Sequence, residues 1–139
     1  MRFVLDSSVT MNWCFKDEAD AYSVAVLEHL GTATAIVPTI WSYEVVNVLR
    51  IGEKLGRLCG DESGEFLEYL RQFSIVAAEL PPRLDQLLVV ARRYGLTSYD
   101  AAYLDLAIRE GVPIATRDSG LRAAAREARV DLLAAEAAA

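Results

Sequence analysis

The segment LTSYDAAYLDLA, residues 96 to 107, predicts a helix with a marked start and a carboxylate in its first turn. Thr97 or Ser98 can cap this helix by accepting hydrogen bonds from its free backbone N–H groups. Gly95 can end the preceding helix in a left-handed turn. Apolar residues then recur at helical spacing, which indicates one buried face. Asp100 therefore lies near the positive end of the helix dipole, a position that favours an anion.

Three other acidic residues stand at comparable ends of predicted elements. Asp6 follows the strand RFVL, Asp118 lies two residues beyond the strand segment IAT, and Glu44 lies in the first turns of a helix. Ligands of parallel α/β sheets bind at the carboxyl ends of the strands. We therefore expect these acids and Asp100 to converge on one pocket, where a cation would neutralise their mutual repulsion. Oxygen ligands without His or Cys favour Mg²⁺ or Mn²⁺ over zinc.

Each acid also has a purely structural alternative. Asp6 and Asp118 could serve only as N-caps of the helices that follow them. Asp100 could only complement its helix dipole, and Glu44 could be a solvated helix residue. The placement of two acids at strand ends and two at helix starts favours the shared site.

Short apolar strands alternate with amphipathic helices, which indicates an α/β domain with a central, mostly parallel sheet of four to five strands flanked by helices. The strands are predicted at residues 2–5, 35–37, 74–80, 112–116 and 130–133. The helices are predicted at about 9–15, 20–30, 39–55, 62–73 with Asp61 as N-cap, 83–94, 96–107 and 119–129. In the second of these, Val24, Leu27 and Leu30 are expected to share one face. Residues 1–139 are expected to form a single domain, with about 134–139 as a frayed tail.

Composition bounds the classes of function. Hydrophobic residues make up 53% and charged residues 24%, as in ordinary soluble globular proteins. The net charge of −6 argues mildly against binding nucleic acid by bulk charge, although residues 83–129 carry eight Arg against six acids. Cys14 and Cys59 have no paired spacing and are expected to be reduced, buried thiols. With neither a signal pattern nor a membrane-spanning run, a cytoplasmic location is expected.

Four segments, in order and separation, carry a family resemblance: FVLDSSV at 3–9, YEVVNVL at 43–49, LTSYDAAYLDLA at 96–107 and IATRDSGL at 114–121. In these segments the chain resembles a PIN-domain nuclease of the VapC-like toxin type. The resemblance implies a PIN-like fold and metal-dependent cleavage of RNA. It also implies a homodimer and a cognate antitoxin whose C-terminal segment blocks the groove. The acidic set that it implies is Asp6, Glu44, Asp100 and Asp118.

The implied chemistry is hydrolysis of a phosphodiester bond by two metal ions, or by one metal ion and water. Asp6 and Asp100 are the expected direct ligands of Mg²⁺ or Mn²⁺, and Asp118 would help to hold the ion. Glu44 would be either a ligand or the group that orients the attacking water. Ser8 stands where Asn is also common in the family, which leaves its role beside the metal open.

The sequence predicts the roles of the residues near the acidic set less specifically. Thr116 could support the site with its hydroxyl or simply pack in a strand. Arg117 and Arg122 could contact RNA phosphate or be solvated surface groups. Asp105 is about 140° from Asp100 around the helix and is expected to pair with Arg109.

Other classes of protein fit less well. A receiver domain needs a lysine at the end of a late strand, and the only lysines are Lys16 and Lys54. A phosphatase of the haloacid-dehalogenase type needs a second aspartate two residues after Asp6, where Ser8 stands. The main alternative is a non-catalytic metal- or RNA-binding module with the same fold. RNA processing without toxicity also stays open.

Overall fold

A four-stranded parallel sheet forms the centre of the computed structural model, which describes residues 1–134. The strands are β1 (Arg2–Leu5), β2 (Thr34–Val37), β3 (Ile75–Ala77) and β4 (Ile114–Ala115). Their spatial order is β3-β2-β1-β4, so β1 lies between β2 and β4. Every pairing is parallel, which confirms the predicted fold class. The strand expected at 130–133 is reduced to one parallel bridge between Ile114 and Leu132.

Seven α-helices surround the sheet within residues 1–134. They are α1 (Ser7–Cys14), α2 (Ala21–Leu30), α3 (Ile40–Lys54), α4 (Gly60–Leu70), α5 (Leu84–Tyr94), α6 (Ser98–Glu110) and α7 (Ser119–Glu127). A short 3-10 turn, Lys16–Glu18, follows α1. None of these helices combines the length and the apolar run that a bilayer crossing requires.

The central strand β1 is apolar because both faces of the sheet are covered. Phe3, Val4 and Leu5 are fully buried, as expected for a strand inside a parallel sheet. Val4 pairs with Ile36 of β2 on one side and with Ile114 of β4 on the other. The carboxyl ends of β1 and β4 therefore lie next to each other.

Helix α6 starts as the sequence predicts. The side chain of Thr97 accepts from the backbone N–H of Asp100 at 3.2 Å, and Gly95 ends α5 with φ of +63°. The helix is buried on most of its circumference, because α5 and α7 pack on either side and β1 lies beneath it. The spacing predicted one buried apolar face, and the structure buries α6 on more sides than that. Even Asp105 is fully buried, whereas Ile108 is exposed.

Two predictions about helices are wrong. Helix α4 is capped by Cys59, whose backbone N–H donates to Glu62 at 3.0 Å, so Asp61 lies within the first turn. Helix α2 turns Tyr22 and Val26 inward and leaves Val24 exposed. Apart from Ala134, the predicted frayed tail lies outside the described residues. Cys14 and Cys59 are both free thiols, as expected, but the prediction that they are buried is wrong: Cys14 is partly buried and Cys59 is exposed.

Candidate functional site

Asp6 lies at the end of β1 with only 5% of its surface exposed. One carboxylate oxygen, Oδ2, accepts from the hydroxyls of Ser8 and Thr116, each at 2.7 Å. The side chain makes no capping hydrogen bond to α1, so capping does not account for its position. Within residues 1–134 the second oxygen, Oδ1, accepts no hydrogen bond.

Thr116 connects Asp6 to the loop after β4. Its hydroxyl donates to Asp6 and accepts from the backbone N–H of Asp118 at 3.1 Å. The Asp118 side chain caps α7 by accepting from the N–H of Leu121 through Oδ2 at 2.8 Å. The backbone N–H of Arg117 donates to the hydroxyl of Ser8 at 3.1 Å. Thr116 therefore joins the carboxyl ends of the neighbouring strands β1 and β4. Asp118 caps α7 through Oδ2, and its Oδ1 stays available.

Glu44 projects from α3 and is half-buried. Its Oε1 accepts from the hydroxyl of Ser7 at 3.2 Å and from that of Tyr103 through a short hydrogen bond. Tyr103 lies one helical turn after Asp100 on α6, on nearly the same side of the helix. Sequence reasoning missed Tyr103, because a tyrosine at helical spacing ordinarily packs in the core. The spacing of three residues from Asp100 was the only available signal.

Asp100 completes the set from the first turn of α6. It is half-buried, and its carboxylate accepts no hydrogen bond from residues 1–134. Its backbone is fixed by the cap from Thr97. The carboxylate therefore keeps both oxygens available.

The four carboxylates share one electrostatic field. Burial raises the pKa of Asp6, the charges of Glu44 and Asp118 raise it further, and the hydroxyls of Thr116 and Ser8 oppose the rise. Burial also raises the pKa of Asp100, and the charges of Asp118 and Asp6 add to it. None of the ion pairs within residues 1–134 includes any of the four. These carboxylates therefore repel one another without a cationic side chain to offset the repulsion.

The donor set suits a hydrated hard cation. Within residues 1–134, no three histidine, cysteine, aspartate or glutamate side chains lie close enough together to enclose an ion directly. Mg²⁺ usually keeps several waters and binds through one or two carboxylates, so it needs no such enclosure. Carboxylate oxygens are its preferred protein ligands. The charge and chemistry of the four acids fit that ion, which would bind them partly through its own waters.

The arginines near the set are engaged with protein groups. The Nε of Arg117 pairs with Asp20 at 2.7 Å. The Nε of Arg122 donates to the backbone carbonyl of Thr116 at 2.7 Å, and its guanidinium lies 4.3 Å from the Tyr22 ring centroid. Both side chains thus brace the strand-end loop, and neither is simply solvated.

The expected ion pair between Asp105 and Arg109 is present, with Nε and Oδ2 2.9 Å apart. Asp105 therefore stays outside the acidic set, as predicted. Asp105 is fully buried, whereas the Arg109 side chain is 29% exposed, so this ion pair lies where the interior of the domain meets its surface.

Comparison with known proteins identifies similar folds. The family model described as "PIN domain" matches residues 3–127. The structure of PAE2754 from Pyrobaculum aerophilum is 28% identical, with a TM-score of 0.68, covering 89% of this chain and 87% of that one. No curated protein gives a significant match.

Two further solved structures share the fold at lower identity. VapBC2 from Rickettsia felis, bound to a DNA fragment from its promoter, is 15% identical with a TM-score of 0.65, covering 95% of this chain and 97% of that one. FitAcB from Neisseria gonorrhoeae is 24% identical with a TM-score of 0.61, covering 94% and 95%. The fold is therefore similar along nearly the whole length of these chains.

Proposed function

We propose that this chain, which belongs to the PIN domain family, is a Mg²⁺- or Mn²⁺-dependent endoribonuclease and the toxin of a toxin–antitoxin pair. The observation that carries the proposal is the meeting of four carboxylates from the end of β1, α3, α6 and the β4–α7 loop, none of which forms an ion pair with the part of the chain that the structure describes. Such a group is costly to keep ionised unless a cation binds. A bound metal ion would offset this repulsion, which is why the arrangement supports a metal site.

Asp6 and Asp100 would hold the ion, through Oδ1 of Asp6 and the unpartnered carboxylate of Asp100, and Asp118 would assist. A bound divalent ion activates water and stabilises charge on phosphate oxygens. Glu44 is half-buried at the same end of the sheet and would bind the ion or orient the attacking water. Ser8 and Thr116 hold Asp6 in one orientation, so that its second oxygen faces the ion.

The proposed antitoxin would bind a groove between α3 and α4 with a volume of about 500 Å³. Its lining is mostly apolar: Trp41, Val45, Val46, Leu67, Leu70 and Phe73. Grooves of this kind accept the apolar face of an amphipathic helix. None of the four acids lines this groove, so the antitoxin would hinder access of RNA only with a segment that continues past the groove towards Glu44.

The proposed homodimer would use the exposed side of α5 and the start of α6. Leu84, Leu88 and Tyr99 expose large apolar side chains there. Contiguous apolar surface of this kind commonly marks a protein interface. A second copy of the chain would cover it.

Cleavage of purified tRNA and ribosomal RNA, assayed separately with Mg²⁺, Mn²⁺ or EDTA, tests the proposal. The parent should cut with metal and not with EDTA. Asp6→Asn should not cut, while Asp61→Asn, which alters an exposed acid on α4, should cut at the parent rate. A folded parent that binds Mn²⁺ but cuts neither RNA would favour the alternative of a non-catalytic binding module.

A further inference from the structure

Tyr103 touches the acidic set through a contact that spans 59 residues of sequence. Its side chain is fully buried on α6, and its hydroxyl donates to Oε1 of Glu44 on α3. Ser7, at the start of α1, donates to the same oxygen at 3.2 Å. Within residues 1–134, Oε2 of Glu44 accepts no hydrogen bond. The two oxygens of this carboxylate are therefore in different situations.

We propose that Tyr103 is a positioning residue that, together with Ser7, holds Oε1 of Glu44, so that only Oε2 acts on the metal ion or the attacking water. This inference rests on the proposed function. A carboxylate oxygen that already accepts from two hydroxyls is poorly placed to join a metal ion as well, because its lone pairs point at those donors. Glu44 then acts through one oxygen, and Tyr103 fixes which one.

A purely structural role for Tyr103, packing in the core, is the alternative to a positioning role. Its ring packs in the core against α5 and α7, among apolar side chains such as Val90 and Leu121. Helix α3 is also held by a hydrogen bond that does not involve Tyr103: Nε1 of Trp41 donates to the hydroxyl of Thr10 on α1 at 3.0 Å. If Tyr103 were only a packing group, loss of its hydroxyl would alter stability and leave the turnover of folded protein unchanged. The test must therefore measure turnover and metal binding on folded protein.

Tyr103→Phe removes the hydroxyl and keeps the ring. Tyr69→Phe is the matched control, because the Tyr69 ring packs on Phe73 and its hydroxyl makes no hydrogen bond within residues 1–134. Groups that orient metal ligands typically contribute about 10- to 100-fold in metal affinity or activity. We expect Tyr103→Phe to lower kcat about 10- to 100-fold with KM for RNA little changed. Tyr69→Phe should leave both parameters at parent values.

A double-mutant cycle with Glu44→Gln shows whether Tyr103 acts through Glu44. Both kcat and the Kd for Mn²⁺, the latter from the paramagnetic resonance signal of free Mn²⁺, are measured for parent, both single variants and the double variant. Residues that act through a shared contact are non-additive, so Tyr103→Phe should have little further effect once Glu44 is Gln. Non-additivity in either quantity supports the inference.

The contrary results are distinct. If the parent cuts RNA with metal and Asp6→Asn does not, yet Tyr103→Phe retains the parent kcat and Kd, the positioning role is wrong and the nuclease stands. Additive effects in both quantities reject the role equally. A parent that neither cuts RNA nor binds Mn²⁺ rejects the proposed function together with this inference.

Discussion

Replacing Thr116 with valine tests the link between the neighbouring strands β1 and β4. Thr116 has no exposed surface, and its hydroxyl makes two hydrogen bonds: it donates to Asp6 at 2.7 Å and accepts from the N–H of Asp118 at 3.1 Å. A hydrogen bond to a charged group contributes about 1.5–3 kcal/mol, and a neutral one about 0.5–1.5 kcal/mol. Valine has the same shape and buries without a polar cost. We expect Thr116→Val to lower the free energy of unfolding by about 2–4 kcal/mol.

That loss converts into a measurable shift. With an unfolding entropy of about 2.1 cal/mol/K per residue, a 139-residue domain loses roughly 3–4 °C of Tm per kcal/mol, so Tm should fall about 6–15 °C. Thr116→Ser is the matched control. It keeps both hydrogen bonds and removes one buried methyl group, which costs about 1 kcal/mol. The assay is denaturant unfolding at pH 7 with EDTA.

The pH dependence gives an independent check. The hydroxyl of Thr116 lowers the pKa of Asp6, against the larger effect of burial. Its contribution is therefore present while Asp6 is ionised and is lost as the pH falls through the folded-state pKa of Asp6. The difference between parent and Thr116→Val should narrow on acidification. A valine variant as stable as the parent at pH 7, or less affected than the serine variant, would refute the reasoning.

Other perturbations probe the charges and the surfaces. Asp100→Asn should stabilise the EDTA-treated protein at pH 7, because burial and two neighbouring charges raise the pKa of Asp100; a lower Tm than the parent would contradict this, and saturating Mn²⁺ should remove the gain. The same gain should shrink as the pH falls through the raised pKa of folded Asp100 and vanish below about 3.9, the ordinary aspartate pKa, where the carboxyl becomes protonated in folded and unfolded parent alike; unfolding curves between about pH 3 and 7 measure it. Arg109→Ala leaves the buried Asp105 without its cation and should cost about 2–4 kcal/mol in urea unfolding, less than a fully buried pair because the Arg109 side chain is 29% exposed; Arg109→Lys should cost less. Leu84→Glu should convert a dimer to a monomer in sedimentation velocity, and an unchanged dimer would place the interface elsewhere.

The strand-end acids could be placed from sequence because one rule governs them. Parallel strands end at the same edge of the sheet, so a polar residue after β1 and another after β4 must lie close together. That reasoning brought Asp6 and Asp118 to one edge without any knowledge of the helices. The N-cap at Thr97 could also be predicted, because its hydrogen bond joins residues only three positions apart in the sequence.

The errors arose where a residue's role depends on its surroundings. Asp61 is a typical cap residue, yet the helix begins earlier, at a cysteine whose N–H is satisfied by Glu62. The inward face of α2 depends on which neighbours pack against it, and the spacing of Val24 gave no information about that. The hydroxyl of Tyr103 donates to Glu44 of α3, which is 59 residues away in the sequence. Periodicity marks such a residue as buried without showing what its hydroxyl meets.

The hydrogen bond between Thr116 and Asp6 joins residues 110 positions apart. It can therefore form only after nearly the whole chain has been synthesised. A ribosome that has just added Asp6 must work for roughly 5–20 s more before Thr116 exists, at about 5–20 residues per second. Until then the last strand, the cap at Asp118 and the helix behind it are all missing. A nascent chain therefore carries Asp6, Glu44 and Asp100 well before it can hold them together. The proposed activity would therefore begin only after the segment from Thr116 onwards has been synthesised.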